Sequence, residues 1–190
     1  MRPFSLIDWQ DIQYRMADDD QEALKTLYDH YNTRLFELAY AIVRSKEMAE
    51  EVVGDVFIRV WQKRTRIRSI ENLAFYLYVM TRNSSRSYLR KYGQKRFLNL
   101  DELALPLYQI EATPEDLMIS GEALQSINRA INELPPKCRM VFKLVKEDGL
   151  KYREVADLLH LSLKTVENQI GIALKKIHSA IHLHRQTPKL

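Results

Sequence analysis

The chain of 190 residues contains only one cysteine, five glycines and six prolines, and it has no apolar run long enough to span a bilayer. A single cysteine, Cys138, excludes an internal disulfide and argues against a cysteine-based metal site. The scarcity of glycine and proline, with little apolar–polar alternation, favours helices joined by short turns over sheets. The N-terminus also lacks the continuous apolar stretch of a secretory signal. We therefore expect an all-α, cytoplasmic protein.

Signatures of enzymes and of metal proteins are also missing. There is no glycine-rich phosphate loop and no nucleophile motif. The five histidines show no zinc-ligand spacing, since His178 and His182 lie four residues apart without a third ligand. The run from Asp18 to Asp20 could suggest a metal site, but it directly precedes an apolar helical stripe, where acids favour a helix N-terminus. We expect no catalysis, no metal and no cofactor.

Hydrophobic periodicity predicts three helices in the first half of the chain, over residues 20–44, 46–62 and about 69–91. The pattern stops at Gly93, and residues 93–120 read as a linker, in which Thr113-Pro114 could begin a further helix. Four more helices are predicted beyond the linker. Breaks at Pro135-Pro136 and Asp148-Gly149 separate a helix ending at Leu134 from one over 137–146 and from a final pair. The predicted organisation is an extension (1–19), a helical domain (20–92), the linker (93–120) and a second helical domain (121–184).

The final pair, from Tyr152 to Ile177, has the pattern of a helix-turn-helix that places its second helix in the major groove of DNA. Ser162 is predicted to cap that second helix by accepting from the backbone N–H of Lys164 or Thr165. Its buried positions are expected to be Val166, Ile170, Ala173, Leu174 and Ile177, and its polar face carries Lys164, Thr165, Glu167, Asn168 and Lys175. The competing interpretation is an ordinary helical hairpin in a bundle.

Basic residues dominate the stretch from Arg59 to Arg96, which matters for binding a polyanion although the net charge is only +4. Arg82, Arg86 and Arg90 recur every four residues and therefore share one helix face. No acidic residue lies between Asn72 and Gly93, so this stripe is predicted to be free for phosphates. The segment from Lys63 to Ser69 (KRTRIRS) is predicted to be a basic loop that could grip unstacked bases. The alternative is a solvated basic face.

One apolar residue, Ile58, falls among polar residues on the outer face of the helix over 46–62. Glu51, Asp55 and Gln62 share that face. An exposed aliphatic side chain among charges is often incidental, and it can also be the centre of a helix-on-helix protein interface. Both interpretations stay open on spacing alone.

Five segments, in this order, resemble the extracytoplasmic-function (ECF) sigma factors, which are promoter-recognition subunits of bacterial RNA polymerase. They are ALKTLYDHYNTRLFELA, AEEVVGDVFIRVW, YLYVMTRNSSRSYLRK, INELPPKCRMVFKL and EDGLKYREVADLLHLSLKTVENQI. The resemblance covers most of the chain. The opening residues and the first domain are most similar to ECF sigma factors of the Bacteroidetes. It implies that residues 20–92 are sigma region 2 and that residues 121–184 are region 4. It further implies that the partners are core RNA polymerase (β′ and β subunits), promoter DNA and an anti-sigma factor, and that there is no small-molecule substrate.

The resemblance also implies a role for each surface. The candidate contacts to the polymerase are Glu51, Asp55, Ile58, Arg59 and Gln62. Those that open and read the −10 element are Arg64, Arg66, Arg68, Asn83, Arg86, Ser87, Arg90 and Lys91. Those that read the −35 element are Tyr152, Arg153, Ser162, Lys164, Thr165, Glu167, Asn168 and Lys175. A base flipped from the non-template strand would lie against the loop from Lys63 to Ser69.

Two departures and two alternatives remain. The family's reading helix is often rich in arginine where this chain has Glu167, Gln169, Gly171 and Ile172, and Gly54 stands where the family commonly has a polar residue. The segment SLKTVENQI also resembles the output domain of two-component regulators, although these normally carry an alternating β/α receiver before it. A polymerase-binding adaptor that does not read DNA is the other alternative.

Overall fold

The computed structural model describes the backbone of residues 7–92 and 121–186; within these stretches the side chains of 121–124 and 182–186 are left undescribed. The described stretches form nine helices: α1 (Trp9–Ala17), α2 (Gln21–Val43), α3 (Lys46–Gln62), α4 (Arg64–Ile67), α5 (Leu73–Lys91), α6 (Gly121–Asn132), α7 (Pro136–Lys146), α8 (Tyr152–Leu159) and α9 (Leu163–Gln186). They contain no strand, which confirms the all-α prediction. The chain divides into two compact units, Met1–Leu98 and Asn99–Leu190. The predicted linker and its Thr113-Pro114 helix start lie outside the described residues.

The core of the first unit lies where α2, α3 and α5 pack against one another. Leu27, Leu35 and Leu38 of α2 are fully buried there, as are Val52 of α3 and Leu77 of α5. Burial of a side chain of this size contributes about 1.5–3 kcal/mol relative to leaving it exposed. The apolar stripes predicted over 20–44 and 46–62 therefore supply most of this core, although Leu24 and Trp61 are only half-buried. Tyr28 is 44% exposed, and its ring packs against that of Phe57 with 4.9 Å between the ring centroids.

Side-chain caps set where the helices of the first unit begin. Asp20 Oδ1 accepts from the backbone N–H of Glu22 at 2.8 Å, as expected for the last acid of the run before α2. Asn72 Oδ1 accepts from the N–H of Phe75 at 3.0 Å. Because Asn72 is the cap, α5 starts at Leu73, and the prediction of a start near Ser69 is wrong. The segment from Lys63 to Ser69 is not simply a loop, since Arg64–Ile67 forms the helical turn α4.

The predicted N-terminal extension contains a helix, α1, that sequence analysis did not find. Asp8 caps it by accepting from the N–H of Gln10 at 3.0 Å and of Asp11 at 3.1 Å. The helix packs on α2 and α4. It buries only Ile12, Gln13 and Met16. A short helix with a glutamine on its buried side gives a weak apolar pattern, which is why the periodicity did not reveal it.

In the second unit α6, α7 and α8 all pack on α9. One buried cluster consists of Ile131, Leu134, Cys138, Phe142 and Ala173. The Cys138 thiol donates to the carbonyl of Gln169 at 3.2 Å, and burial raises its pKa. Cys138 is thus a small residue of the core, with none of its side chain exposed.

Three details of the second unit differ from the sequence predictions. The helix α6 ends at Asn132, two residues before Leu134, and α9 continues beyond Ile177 to Gln186. Leu174 is 46% exposed, so its predicted burial is wrong. It follows Ala173 directly and is therefore rotated about a quarter turn away from the stripe of Val166, Ile170 and Ala173 that packs inward.

Candidate nucleic-acid and polymerase interfaces

Residues 160–162 form the tight turn between α8 and α9 in the second unit. His160 adopts a left-handed conformation, with φ of 54°, and the N–H of Leu161 donates to the carbonyl of Ala156 at 2.9 Å. Ser162 Oγ accepts from the backbone N–H of Thr165 at 3.0 Å, so the predicted cap of α9 is confirmed. The two hydroxyl groups of Ser162 and Thr165 also lie 2.8 Å apart. The turn thereby ends α8 and starts α9 within three residues.

The first turns of α9 present a polar surface to solvent. Lys164, Glu167, Asn168 and Lys175 are exposed, whereas Thr165 is half-buried. Lys164 Nζ lies 3.5 Å from Glu167 Oε2, so one positive charge of this surface is partly compensated within the helix. At the start of α8, Arg153 is exposed and Tyr152 is half-buried. All eight residues assigned to the −35 element therefore lie on the α8–α9 pair.

In the first unit, α5 carries the second polar surface. Asn83, Arg86, Ser87, Arg90 and Lys91 are all exposed on it. The prediction that the arginine stripe is free is wrong. Arg82 is half-buried, Arg82 and Arg86 both interact with other protein groups, and Arg90 Nη2 donates to Ser87 Oγ at 3.0 Å. Polar groups of the protein itself thus hold part of the stripe in place.

We call residues 63–69, between α3 and α5, the basic turn. Ile67 anchors it, because this side chain is fully buried. Arg64 forms an ion pair with Asp19 and also stacks over the Trp61 ring at 4.9 Å. Lys63, Arg66 and Arg68 are exposed, and Arg66 makes no ion pair with any residue that the structure describes. The turn consequently points cationic side chains outward from a buried apolar anchor.

The outer face of α3 forms a third surface, made of Glu51, Asp55, Ile58, Arg59 and Gln62. Ile58 is 57% exposed, as its place among polar residues predicts. Glu51, Arg59 and Gln62 are exposed, and Asp55 is half-buried. The apolar side chain is therefore available to a partner and is ringed by polar groups, the arrangement typical of the centre of a protein interface.

Two hydrogen bonds join this outer face to α5, and sequence analysis did not predict them. The Tyr88 hydroxyl donates to Asp55 Oδ2 at 2.8 Å, and Arg59 Nη1 donates to Ser84 Oγ at 3.1 Å. Burial, together with the hydrogen bond to Asp55, raises the pKa of Tyr88 to about 12. The phenol therefore remains a donor at neutral pH. The partners lie 33 and 25 positions apart in the sequence, a separation that helical periodicity cannot relate.

Within residues 7–92 and 121–186 no group of three or more His, Cys, Asp and Glu side chains is arranged to hold a metal ion. Over the same residues, no helix combines the length and apolar character needed to cross a membrane.

Two family models match the chain. Sigma-70 region 2 matches residues 27–96, which run from α2 to just beyond α5. Sigma-70 region 4 matches residues 124–177, which include the α8–α9 pair. The two models follow one another in that order and together span more than half of the chain.

Full-length relatives agree with the two models. The ECF RNA polymerase sigma-E factor of Escherichia coli (strain K12) is 28% identical over 175 residues, covering 88% of this chain and 91% of the relative. The ECF RNA polymerase sigma factor SigK of Mycobacterium bovis (strain BCG / Pasteur 1173P2) is 25% identical over 171 residues, covering 88% and 90%.

Among solved structures, CnrH in complex with the cytosolic domain of CnrY matches with a TM-score of 0.48 and 20% identity, over 94% of this chain and 98% of that one.

Region 2 before region 4 also excludes the two-component regulator alternative, because the first unit is helical where that class has a β/α receiver. The chain belongs to the ECF family of RNA polymerase sigma factors.

Proposed function

We propose that this protein binds core RNA polymerase through the outer face of α3 and directs promoter-specific initiation through two DNA-binding surfaces. The observation that carries the proposal is the pairing of surfaces within the first unit. An exposed Ile58 lies on α3, and exposed cations lie on the basic turn and on α5 of the same compact unit. A protein that only bound duplex DNA would have no need of the apolar contact.

The basic turn and α5 serve the −10 element in this proposal. Arg64, Arg66 and Arg68 of the turn contact the flipped base and its phosphates. Along α5, Asn83, Arg86, Ser87, Arg90 and Lys91 contact the opened strand. Support comes from the exposure of all of these residues except the half-buried Arg64, and from the absence of acidic residues along α5. Single-stranded DNA is held by cations that follow the backbone, with aromatic rings nearby for the bases, and Tyr92 at the end of α5 is 49% exposed.

The α8–α9 pair serves the −35 element. Tyr152 and Arg153 contact backbone phosphates at the start of α8, and Ser162 positions the first turn of α9 for the groove. Base edges are read by Lys164, Thr165, Glu167 and Asn168, and Lys175 lies farther along the same helix. Carboxylates accept from cytosine N4 and amides pair with adenine, so Glu167 and Asn168 favour a site different from that of an arginine-rich helix.

Two sets of substitutions separate the polymerase surface from the −10 surface. Arg86→Ala combined with Arg90→Ala removes two cations, and we expect open-complex formation to fall about tenfold at moderate salt while core binding survives. Ile58→Lys places a charge in the apolar contact, and we expect core affinity to fall about tenfold or more. Core binding is measured by fluorescence anisotropy, and promoter opening by permanganate reactivity. Loss of core binding in the double arginine variant would mean that the two surfaces are misplaced.

Three finer points belong to the same proposal. An anti-sigma factor holds the protein inactive, a point that rests on the family resemblance and that affinity capture with mass spectrometry tests. The protein acts in the cytoplasm, where its polymerase partner is. Its subgroup is the Bacteroidetes one, which a phylogenetic tree of ECF sequences checks.

The domain boundaries at 1–19, 20–92, 93–120 and 121–184 also remain predictions, and limited proteolysis tests them.

A further inference from the structure

We propose that Gln13, on α1, is a positioning residue that sets the conformation of the basic turn and thereby its selectivity for the −10 element. The proposal rests on the function proposed above for that turn. Gln13 is 5% exposed, and its Nε2 donates to the carbonyls of Ile67 at 2.6 Å and Ile70 at 2.9 Å. These bonds join the turn to a residue 54 and 57 positions earlier in the chain.

The two acceptor carbonyls bracket the exit of the basic turn. Ile67 is the last residue of α4, and its carbonyl also accepts from the backbone N–H of Ile70 at 3.0 Å. Ile70 lies two residues before the Asn72 cap of α5. The amide of Gln13 uses both of its N–H donors here, so it fixes the two carbonyls relative to each other. Without these donors the carbonyl of Ile67 would keep only the bond from Ile70 N–H, and the carbonyl of Ile70 would lose its bond from Gln13, so the turn would gain alternative conformations.

A second contact from the same helix supports this role. Arg68 stacks its guanidinium over the Tyr14 ring at 4.4 Å, directly beside Gln13 in the sequence. Asp19, just beyond the end of α1, forms the ion pair with Arg64. One short N-terminal segment thereby contacts the beginning, the end and the exit of the basic turn.

This arrangement distinguishes a positioning role from simple packing. Ile12 and Met16 supply the apolar contact of α1, and Met16 is fully buried. Gln13 adds hydrogen bonds to the backbone of a segment whose cationic side chains point outward. Because base discrimination depends on where those side chains stand, a change of turn conformation alters selectivity more than it alters core binding.

The test uses the full-length protein with core polymerase. Gln13→Met removes both donors at nearly constant side-chain volume, and Gln10→Met makes the same change at an exposed position of α1. Initiation is measured on a promoter of the wild-type protein and on the same promoter with single-base changes in the −10 element. We expect Gln13→Met to reduce the ratio between these templates by about fivefold or more, with core affinity unchanged. The ratio for Gln10→Met should match that of the wild type.

Two results would overturn the inference. One is an unchanged ratio in Gln13→Met; the other is an equal loss on all templates, which marks a general structural role. Gln13→Asn retains an amide that is one methylene shorter, and we expect it to recover part of the ratio, whereas no recovery would count against positioning. Failure of the wild-type protein itself to initiate from any promoter would refute the proposed function instead, so the two failures are distinguishable.

Discussion

Asp55 and Arg59 each contact α5 and are also part of the outer face of α3. Their place on the outer face of α3 follows from helical spacing, and Ile58 between them is predicted to be exposed by the same argument. Their hydrogen bonds to Tyr88 and Ser84 do not follow from spacing, because these bonds depend on how two distant helices pack. The sequence therefore predicted the position of Asp55 and Arg59 on α3 but not the hydrogen bonds that join them to α5.

His30 makes the stability of the first unit depend on pH. It lies between Trp9 and Tyr31, with ring centroids at 4.7 and 4.8 Å, and Arg34 Nη1 donates to its backbone carbonyl at 2.6 Å. Burial, with a smaller effect of the Arg34 charge, lowers the pKa of His30 from 6.5 to about 4. The folded state thus favours the neutral ring. The associated stability is complete above pH 6.5 and is lost as the pH falls from 6.5 toward 4.

We therefore expect the first unit to lose on the order of 1 kcal/mol of unfolding free energy between pH 7 and pH 5, after allowance for partial solvent screening. The change His30→Gln should remove most of that loss. Denaturant unfolding followed by tryptophan fluorescence measures it, since the two tryptophans, Trp9 and Trp61, both belong to this unit. An equal pH dependence in both proteins would show that His30 is not the group responsible.

Among the helices, those with a strong local pattern of apolar residues and caps were the ones predicted correctly. The helices α2 and α3 have long apolar stripes and caps, and both lie where periodicity places them. By contrast α1 escaped detection, because it is short and its buried side consists of only Ile12, Gln13 and Met16. The central part of α5 buries Thr81, Ser84 and Ser85 rather than large apolar residues. These small polar side chains interrupt the hydrophobic pattern in that part of the helix.

Gly171 in α9 offers a test at this scale. A Cβ built there would meet no atom within 4 Å, so Gly171→Ala should stabilise the second unit by about 1 kcal/mol through helix propensity. Gly149 is the matched control, because its φ of 68° makes Gly149→Ala destabilising by about 1 kcal/mol despite equally open space. Thermal unfolding monitored by circular dichroism measures both. If Gly171→Ala destabilised the protein, the position of Gly171 within a regular helix would be wrong.

For the whole molecule, composition predicted the helical class, and the order of motifs predicted the family. The local pattern of the α8–α9 pair was sufficient for the cap of α9, since Ser162 and Thr165 lie within one turn. The same kind of reasoning failed for the arginines of α5, because Arg82 and Arg86 interact with other protein groups and Arg90 donates to Ser87. Sequence thus predicts which surfaces exist, whereas tertiary packing decides how firmly their side chains are held.

Promoter-specific initiation is tested most directly by run-off transcription with purified protein, core RNA polymerase and a library of genomic fragments. We expect start sites only in the presence of this protein, with a shared pair of upstream elements when the sites are aligned. Ile58→Lys should abolish these starts at concentrations near the wild-type affinity. Initiation from no fragment, or starts that share no upstream elements, would contradict a role in promoter-specific initiation.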